Sequence, residues 1–173
     1  MDLKKNKIGI LGGSFDPAHK GHLVISKEAI KKFKLKKIVW AITKKNPFKQ
    51  KTSLNLSERI RHCKKIIKNT KFIEIRFFEN KIKSNKTINL INFFTKNKKN
   101  EIYFIMGADN LIYFHKWHKW KMISKKCNIV VFDRYRYKKK ALNSKSYRSL
   151  NKEKLKFINF NKVNISSSQL RKI

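Results

Sequence analysis

An α/β fold is predicted for this sequence, Rossmann-like and doubly wound, with a mainly parallel sheet and helices on both faces. Three observations support this prediction. Short apolar runs alternate with amphipathic segments along the chain. Two apolar runs end in glycine turns, at Gly12-Gly13 and at Gly107, and such folds bind ligands at the carboxyl ends of their strands. The 173 residues and the hydrophobic content of 40% fit a single domain, residues 1–173, with a substantial core.

The charge of the chain is strongly unbalanced, with 45 Lys and Arg residues, 10 Asp and Glu residues and a formal net charge of +35. A surplus of this kind can indicate a nucleic-acid partner. Here the lysines are spread over the whole chain and are not concentrated on one element with interleaved aromatic residues, which disfavours a specific nucleic-acid site. We expect the charge to attract anionic nucleotides and to permit weak, salt-sensitive RNA binding.

Neither a membrane span nor a disulfide framework is expected. No apolar run approaches the ~20 residues that cross a bilayer, and the first residues lack the apolar region of a signal peptide. We therefore expect a cytoplasmic protein with no membrane partner. The two cysteines, Cys63 and Cys127, are too far apart for a zinc site or a disulfide framework and are expected to be core or half-buried thiols.

The first strand–turn–helix unit is the most informative stretch. The apolar run at about 7–11 predicts a buried strand, and the apolar spacing from Gly21 to Phe33 predicts a helix with one buried face. The turn between them reads Gly-Gly-Ser-Phe-Asp-Pro-Ala-His-Lys-Gly-His. Its histidines, His19 and His22, are three residues apart and fall on one side of the first helical turn, where imidazoles can donate hydrogen bonds to phosphate oxygens.

This string resembles the signature of the His-x-Gly-His nucleotidyltransferases, and its Gly-Gly start and His19 are most similar to the nicotinate (or nicotinamide) mononucleotide adenylyltransferases. The resemblance implies the nucleotidyltransferase fold. It also implies that His19 and His22 bind ATP phosphates, with His22 nearest the charge of the transition state, and that Ser14 and Phe15 contact the mononucleotide as well. The residues that it places at ATP in this turn are Gly12, Gly13, Ser14, Phe15, His19 and His22.

The second strand is predicted at 37–43, which is apolar and therefore central in the sheet. A basic residue, Lys49, follows the Asn46-Pro47 turn after this strand, and the resemblance places it on the nucleotide phosphates. Ser57 is expected to cap the next helix, on which Arg59 is expected to lie at the surface.

A third strand is predicted at 72–75, and the following helix is expected to begin with Thr87 as its N-cap. The resemblance implies that Thr87 also helps to hold the pyridine carboxylate of the mononucleotide. The strand at 101–106 ends in a second glycine turn, where Asp109 could bond a ribose hydroxyl or cap a helix. The resemblance places Gly107 and Asp109 at the nucleotide sugar.

Two tryptophans, Trp117 and Trp120, follow three residues apart, and both could belong to the core. The resemblance implies that one tryptophan of this segment stacks on the pyridine ring. Trp117 matches it, and Trp120 then packs inward. A pyridinium ring over an indole face is a stacked cation–π pair.

Two further strands are predicted near the end of the chain, at 127–132 and 156–160. A basic loop at 133–140, expected to be solvated, and a polar segment at 144–154 separate them.

The C-terminal string Ile-Ser-Ser-Ser-Gln-Leu-Arg offers hydroxyls, amides and a guanidinium to an anion. It is similar to the second signature of the same family, Ile-Ser-Ser-Thr-x-x-Arg. The resemblance implies that Ser167, Ser168 and Arg171 hold the leaving pyrophosphate.

The reaction that the resemblance implies is adenylyl transfer from ATP to nicotinate mononucleotide, which gives deamido-NAD and pyrophosphate in NAD biosynthesis. The catalytic residues would be His22, His19 and Arg171. Mg²⁺ would act as a cofactor that bridges the phosphates with few direct protein ligands, and no residue is assigned to the metal.

Three alternatives stay open. The same chemistry could use nicotinamide mononucleotide, or both mononucleotides, although surrounding positive charge favours a carboxylate. A phosphopantetheine adenylyltransferase is disfavoured by His19, Trp117 and Arg171, and a basic nucleic-acid-binding protein is disfavoured by the intact His19, His22 and Arg171. A homo-oligomer is compatible with the sequence.

Overall fold

The computed structural model describes residues 5–44 and 52–160. Within these residues the chain forms six strands: β1 Asn6–Gly13, β2 Lys37–Ile42, β3 Ile73–Phe77, β4 Asn100–Gly107, β5 Asn128–Phe132 and β6 Leu155–Ile158. They make one sheet in the order β3-β2-β1-β4-β5-β6, and every neighbouring pair is parallel. The predicted doubly wound, parallel α/β sheet is therefore confirmed.

Helices connect the strands. They are α1 Lys20–Phe33, α2 Leu56–Ile66, α3 Glu79–Ile82, α4 Thr87–Thr95, α5 Ala108–Tyr113, α6 Trp120–Lys126, α7 Lys138–Leu142 and α8 Lys145–Ser149, with a 3-10 turn at Phe114–Lys116. In the two described ranges, no helix combines the length and the apolar character that a membrane crossing needs.

Each face of the sheet has its own hydrophobic core. One core joins Ile10 and Phe104 to residues of α4 and α6. The other joins Leu11 and Ile105 to residues of α1 and α2. Successive strand residues point to opposite faces, so a strand covered on both faces must be apolar throughout. This explains the uninterrupted apolar runs in the sequence.

The switch point of the sheet lies between β1 and β4. The chain leaves β1 towards β2 and β3 and then crosses back to β4, so the connections leave these two neighbouring strands in opposite directions. Leu11 pairs with Ile105, and both strands end two residues further on, in the glycine turns. The register thus places Gly13 and Gly107 at one point of the carboxyl edge, where open α/β sheets form a ligand crevice.

The start of α2 differs from the prediction. Its cap is Asn55, and Ser57 is already helical. The Asn55 side chain accepts the Glu58 N–H at 3.0 Å, and the Glu58 carboxylate accepts the Asn55 N–H at 2.9 Å. This reciprocal capping box satisfies two backbone amides at once, which a Ser57 cap could not do without a partner three residues later.

Two further expectations about local structure are wrong. Lys86 occupies the N-cap position of α4 without a side-chain cap, and Thr87 is the first helical residue. The basic loop at 133–140 is partly helical, because α7 begins at Lys138 and turns Ala141 into the core.

Both cysteines are buried thiols, as predicted. Burial raises the pKa of Cys63 and that of Cys127 to about 12, because the charged thiolate is disfavoured away from water. Only the thiolate reacts quickly with disulfide reagents. At pH near 8 we therefore expect Ellman's reagent to label neither cysteine in the native chain and both cysteines in guanidinium chloride. Rapid stoichiometric labelling of the native chain would contradict the burial.

Candidate active site

A cavity of about 460 Å³ opens at the switch point, a volume typical of small-molecule sites. Its walls come from the turn after β1, the ends of β2, β4 and β5, and the start of α4. The cavity brings together ten residues that the sequence singled out: Gly12, Gly13, Ser14, Phe15, His19, His22, Thr87, Gly107, Asp109 and Trp117. The other four, Lys49, Ser167, Ser168 and Arg171, lie outside the described residues.

His19 and His22 form the first turn of α1 as a reciprocal cap. Nδ1 of His19 accepts the Gly21 N–H at 3.1 Å, and Nδ1 of His22 accepts the His19 N–H at 3.2 Å. A nitrogen that accepts a hydrogen bond carries no hydrogen, so each neutral ring carries its hydrogen on Nε2. The caps therefore fix both the tautomer and the orientation of two imidazoles at a helix N-terminus, where anions are favoured.

A stack of aromatic rings supports this turn. Phe15 stacks on the fully buried Trp40 with 5.0 Å between ring centroids, and the Phe15 ring lies 4.8 Å from that of His22. The indole N–H of Trp40 donates to Ser26 Oγ at 2.9 Å, and this hydroxyl donates to the His22 carbonyl at 2.7 Å. Strand β2 thus holds the histidine turn through Trp40.

An ion pair closes the second glycine turn. Arg134 Nη1 lies 2.6 Å from Asp109 Oδ2, and both side chains are partly buried. The other carboxylate oxygen, Oδ1, is buried and has no hydrogen-bond partner among the described residues. The pair therefore fixes the Asp109 carboxylate at the cavity wall. Arg134 was expected in a solvated loop, and its contact with Asp109 corrects that expectation.

Gly107 has a steric reason to be glycine. A Cβ atom at this position would lie 2.5 Å from Asp109 Oδ1, closer than such atoms approach. Any side chain here would displace the carboxylate that lines the cavity.

Thr87 and Trp117 also line the cavity. The Trp117 ring is T-shaped against Phe104 and Phe114, at 6.1 and 5.3 Å. Trp120 also packs on Phe114, at 5.9 Å, but does not line the cavity. Trp117 thus lines the cavity, whereas Trp120 does not.

Two residues of the cavity wall have no sequence pattern that indicates a function. Phe78 and Glu79 both line the cavity. The Glu79 carboxylate accepts the Lys44 N–H at 3.0 Å and so fastens the end of β2 to α3. Their contribution depends on contacts between segments about 35 residues apart, which a local pattern does not reveal.

Arg59 was expected at the surface and is only 2% exposed. Its guanidinium donates to four backbone carbonyl oxygens: Ser14 at 2.6 Å, Thr43 at 2.7 Å, and Lys44 and Leu54 at 3.2 Å each. One signal could have found it, because Arg59 stands four residues before the buried Cys63 and so shares its helical face.

Comparisons with known proteins agree with this architecture. Residues 10–173 match the cytidylyltransferase-like family. A relative from Pelagibacter ubique (strain HTCC1062), named "Probable nicotinate-nucleotide adenylyltransferase", is 64% identical over 173 residues, which are 100% of this chain and 96% of the relative. A relative of the same name from Bradyrhizobium sp. (strain ORS 278) is 37% identical over 146 residues, 83% of this chain and 76% of the relative. The chain belongs to the nicotinate-nucleotide adenylyltransferases.

Solved structures share the fold of this family member. The Plasmodium falciparum nicotinic acid mononucleotide adenylyltransferase complexed with NaAD superposes with a TM-score of 0.79 at 22% identity, covering 96% of this chain and 83% of that chain. The same Plasmodium falciparum enzyme complexed with APC gives a TM-score of 0.77 at 21% identity, with equal coverage. At this identity the likeness concerns the fold.

The carboxylates at the cavity are engaged with protein groups. Asp109 pairs with Arg134, and Glu79 accepts a backbone amide. In the part of the chain that the structure describes, no three His, Cys, Asp or Glu side chains are grouped closely enough to hold a metal ion.

Proposed function

We propose that this chain transfers the adenylyl group of ATP to nicotinate mononucleotide, giving deamido-NAD and pyrophosphate, a step of NAD biosynthesis. The observation that carries the proposal is the histidine pair: two imidazoles, fixed by reciprocal caps, line a cavity at the switch point. Family membership at 64% identity supports the choice of substrates.

The reaction needs no covalent enzyme intermediate. The 5′-phosphate of the mononucleotide attacks the α-phosphorus of ATP, the bond to the bridging oxygen breaks, and pyrophosphate leaves. Catalysis then depends on in-line positioning and on stabilising the charge of the transferring group. The Nε2–H groups of His19 and His22 are suited to this task because their donors are already oriented before the substrate binds.

The remaining ATP contacts follow from the sequence signatures. We assign the backbone of Gly12, Gly13, Ser14 and Phe15 to the phosphates, and Gly107 and Asp109 to the ribose. Lys49, Ser167, Ser168 and Arg171 would complete the pyrophosphate site.

The mononucleotide would bind in the cavity beside Thr87 and Trp117. We assign the Thr87 hydroxyl as a donor to the pyridine carboxylate, and the indole of Trp117 as the contact of the pyridinium ring. A carboxylate is favoured over an amide here because the chain carries a large positive charge.

Mg²⁺ would enter as part of the MgATP substrate. Phosphate oxygens are the ligands that Mg²⁺ prefers together with water, and the cavity carboxylates already have protein partners. The ion would reduce the repulsion between the two phosphates as they approach each other.

The test is pyrophosphate release by the purified chain with ATP and Mg²⁺, in parallel with nicotinate mononucleotide, nicotinamide mononucleotide and phosphopantetheine. Release with the nicotinate compound is expected. Comparable release with the nicotinamide compound would show dual specificity, and release only with phosphopantetheine would overturn the assignment of Trp117. An absence of pyrophosphate release with all three substrates would contradict adenylyl transfer and favour a nucleic-acid-binding role.

A further inference from the structure

The buried guanidinium of Arg59 reaches a backbone carbonyl in the phosphate turn. We propose that Arg59 is a positioning residue for adenylyl transfer: it holds the Ser14 carbonyl away from the cavity and so presents the Phe15 N–H as a donor to a substrate phosphate oxygen. This inference rests on the proposed function and assigns a role to a residue outside the sequence signatures.

The peptide between Ser14 and Phe15 fixes the direction of that donor. In a trans peptide the C=O and the following N–H lie in one plane and point in opposite directions. The Ser14 carbonyl accepts from Arg59 Nη1 at 2.6 Å. Ser14 and Phe15 line the cavity, whereas Arg59 does not. The carbonyl therefore points away from the cavity, and the Phe15 N–H points towards it.

The Phe15 N–H takes part in no hydrogen bond among the described residues, although Phe15 as a whole residue is only 2% exposed. Backbone amides in folded proteins are nearly all paired with protein or solvent. An amide at the wall of an open cavity can satisfy this rule through a ligand or water. Phe15 also has a φ of 49°, a left-handed conformation that is uncommon for an aromatic residue and is kept only when its surroundings enforce it.

Contacts on both sides of Phe15 enforce its left-handed conformation. Arg59 links the Ser14 carbonyl to the carbonyls of Thr43 and Lys44 at the end of β2. From the other side, the carboxylate of Asp16, itself 1% exposed, accepts the N–H groups of Ser53 at 2.8 Å and Leu54 at 3.0 Å. The turn is thus fastened immediately before and after Phe15.

Burying a cation to hold backbone carbonyl oxygens costs free energy. Desolvation lowers the pKa of Arg59, and the negative charges of Asp16 and Glu79 oppose that shift. An arginine nevertheless suits the task, since its planar fork of five donors can hold several carbonyls in one fixed geometry, which a lysine ammonium cannot. Its positive charge also polarises the Ser14–Phe15 peptide, which strengthens the Phe15 N–H as a donor to an anion.

The experiment is a double-mutant cycle on pyrophosphate release with ATP and nicotinate mononucleotide. One change is Arg59→Lys. The other replaces the Phe15 amide by an ester, through incorporation of the α-hydroxy acid analogue of phenylalanine, which removes the N–H and keeps the side chain. Arg61→Lys, at an exposed position of the same helix, is the matched control. Thermal unfolding of each variant reports whether it folds.

We expect each change alone to lower kcat about tenfold or more, as for other backbone-type donors to a transition state. In the ester chain, Arg59→Lys should then cost less than about twofold, because the group through which Arg59 acts is already missing. Arg61→Lys should leave kcat unchanged.

Two outcomes would overturn the proposal. One is an equal loss from Arg59→Lys in the amide and ester chains, which would indicate a purely structural role. The other is an unchanged kcat in the ester chain, which would show that the Phe15 N–H is not a donor in the reaction. This result holds even if Arg59→Lys does not fold. If the wild-type chain releases no pyrophosphate, the proposed function itself fails. The same cycle is then measured on the Kd of ATP. The inference is supported if Arg59→Lys weakens ATP binding less in the ester chain than in the amide chain. It is overturned if Arg59→Lys weakens ATP binding equally in both chains.

Discussion

The His22→Ala variant is expected to release pyrophosphate 10²–10³ times more slowly than the wild-type chain, the cost on the order of one oriented donor to a developing charge. Nδ1 of His22 accepts the His19 N–H, so the neutral ring carries its hydrogen on Nε2, and His22 lines the cavity. Alanine removes this donor and leaves the His19 amide without its cap. The measurement is kcat and KM for both substrates by pyrophosphate release.

The loss of the cap has its own, separate consequence. Removing one N-terminal cap costs about 0.5–2 kcal/mol of the free energy of unfolding, so the melting temperature must be measured beside the rate. His62→Ala is the matched control, because His62 lies on α2 and does not line the cavity. Turnover by His22→Ala within a few fold of the His62→Ala control would remove His22 from the catalytic group.

The fold and the histidine turn could be predicted because their signals are local. Both depend on short stretches whose patterning already contains the structural reason: apolar runs that must be covered on two faces, and a glycine turn that opens a helix. His19 and His22 are three residues apart, and the hydrogen bonds that orient them join residues at most three apart. The local stretch therefore contains the hydrogen bonds that orient the pair, whereas the support from Trp40 comes from another strand.

Arg59 and Arg134 could not be found in the same way. In a chain with 45 Lys and Arg residues, one further arginine gives no signal by its type. Arg134 pairs with a carboxylate 25 residues earlier, and Arg59 holds the Ser14 carbonyl 45 residues away. Both roles are decided by strand order, which brings distant turns to one edge of the sheet. The spacing of Arg59 to Cys63 indicates a shared helical face but does not indicate which carbonyl oxygens the guanidinium meets.

The capping of α2 is an intermediate case. Asn55 and Ser57 are both good N-cap residues by type. Only Asn55 has an acidic residue three positions later, Glu58, and the structure uses that pair. The spacing of the capping box, and not the preference of the single residue, decided the helix start, so this error was avoidable from the sequence.

The Trp117→Ala variant is expected to raise the KM for nicotinate mononucleotide by about 10–100-fold, since stacking on one aromatic ring contributes about 1–3 kcal/mol. The KM for ATP and kcat should change much less, because an interaction made equally in the ground state and the transition state affects binding and not the chemical step. Initial rates with each substrate varied in turn measure the three quantities.

The chain provides a matched control for this loss. Trp120 packs on the same Phe114 ring as Trp117 but does not line the cavity. Trp120→Ala therefore removes an equal side chain from the same aromatic cluster, and its effect should fall on the melting temperature instead of on the KM for the mononucleotide. If both variants raise that KM equally, Trp117 acts through packing and the pyridine ring binds elsewhere. If only Trp117→Ala does so, the indole contacts the ring directly, and the two tryptophans three residues apart have separate tasks that their spacing alone does not distinguish.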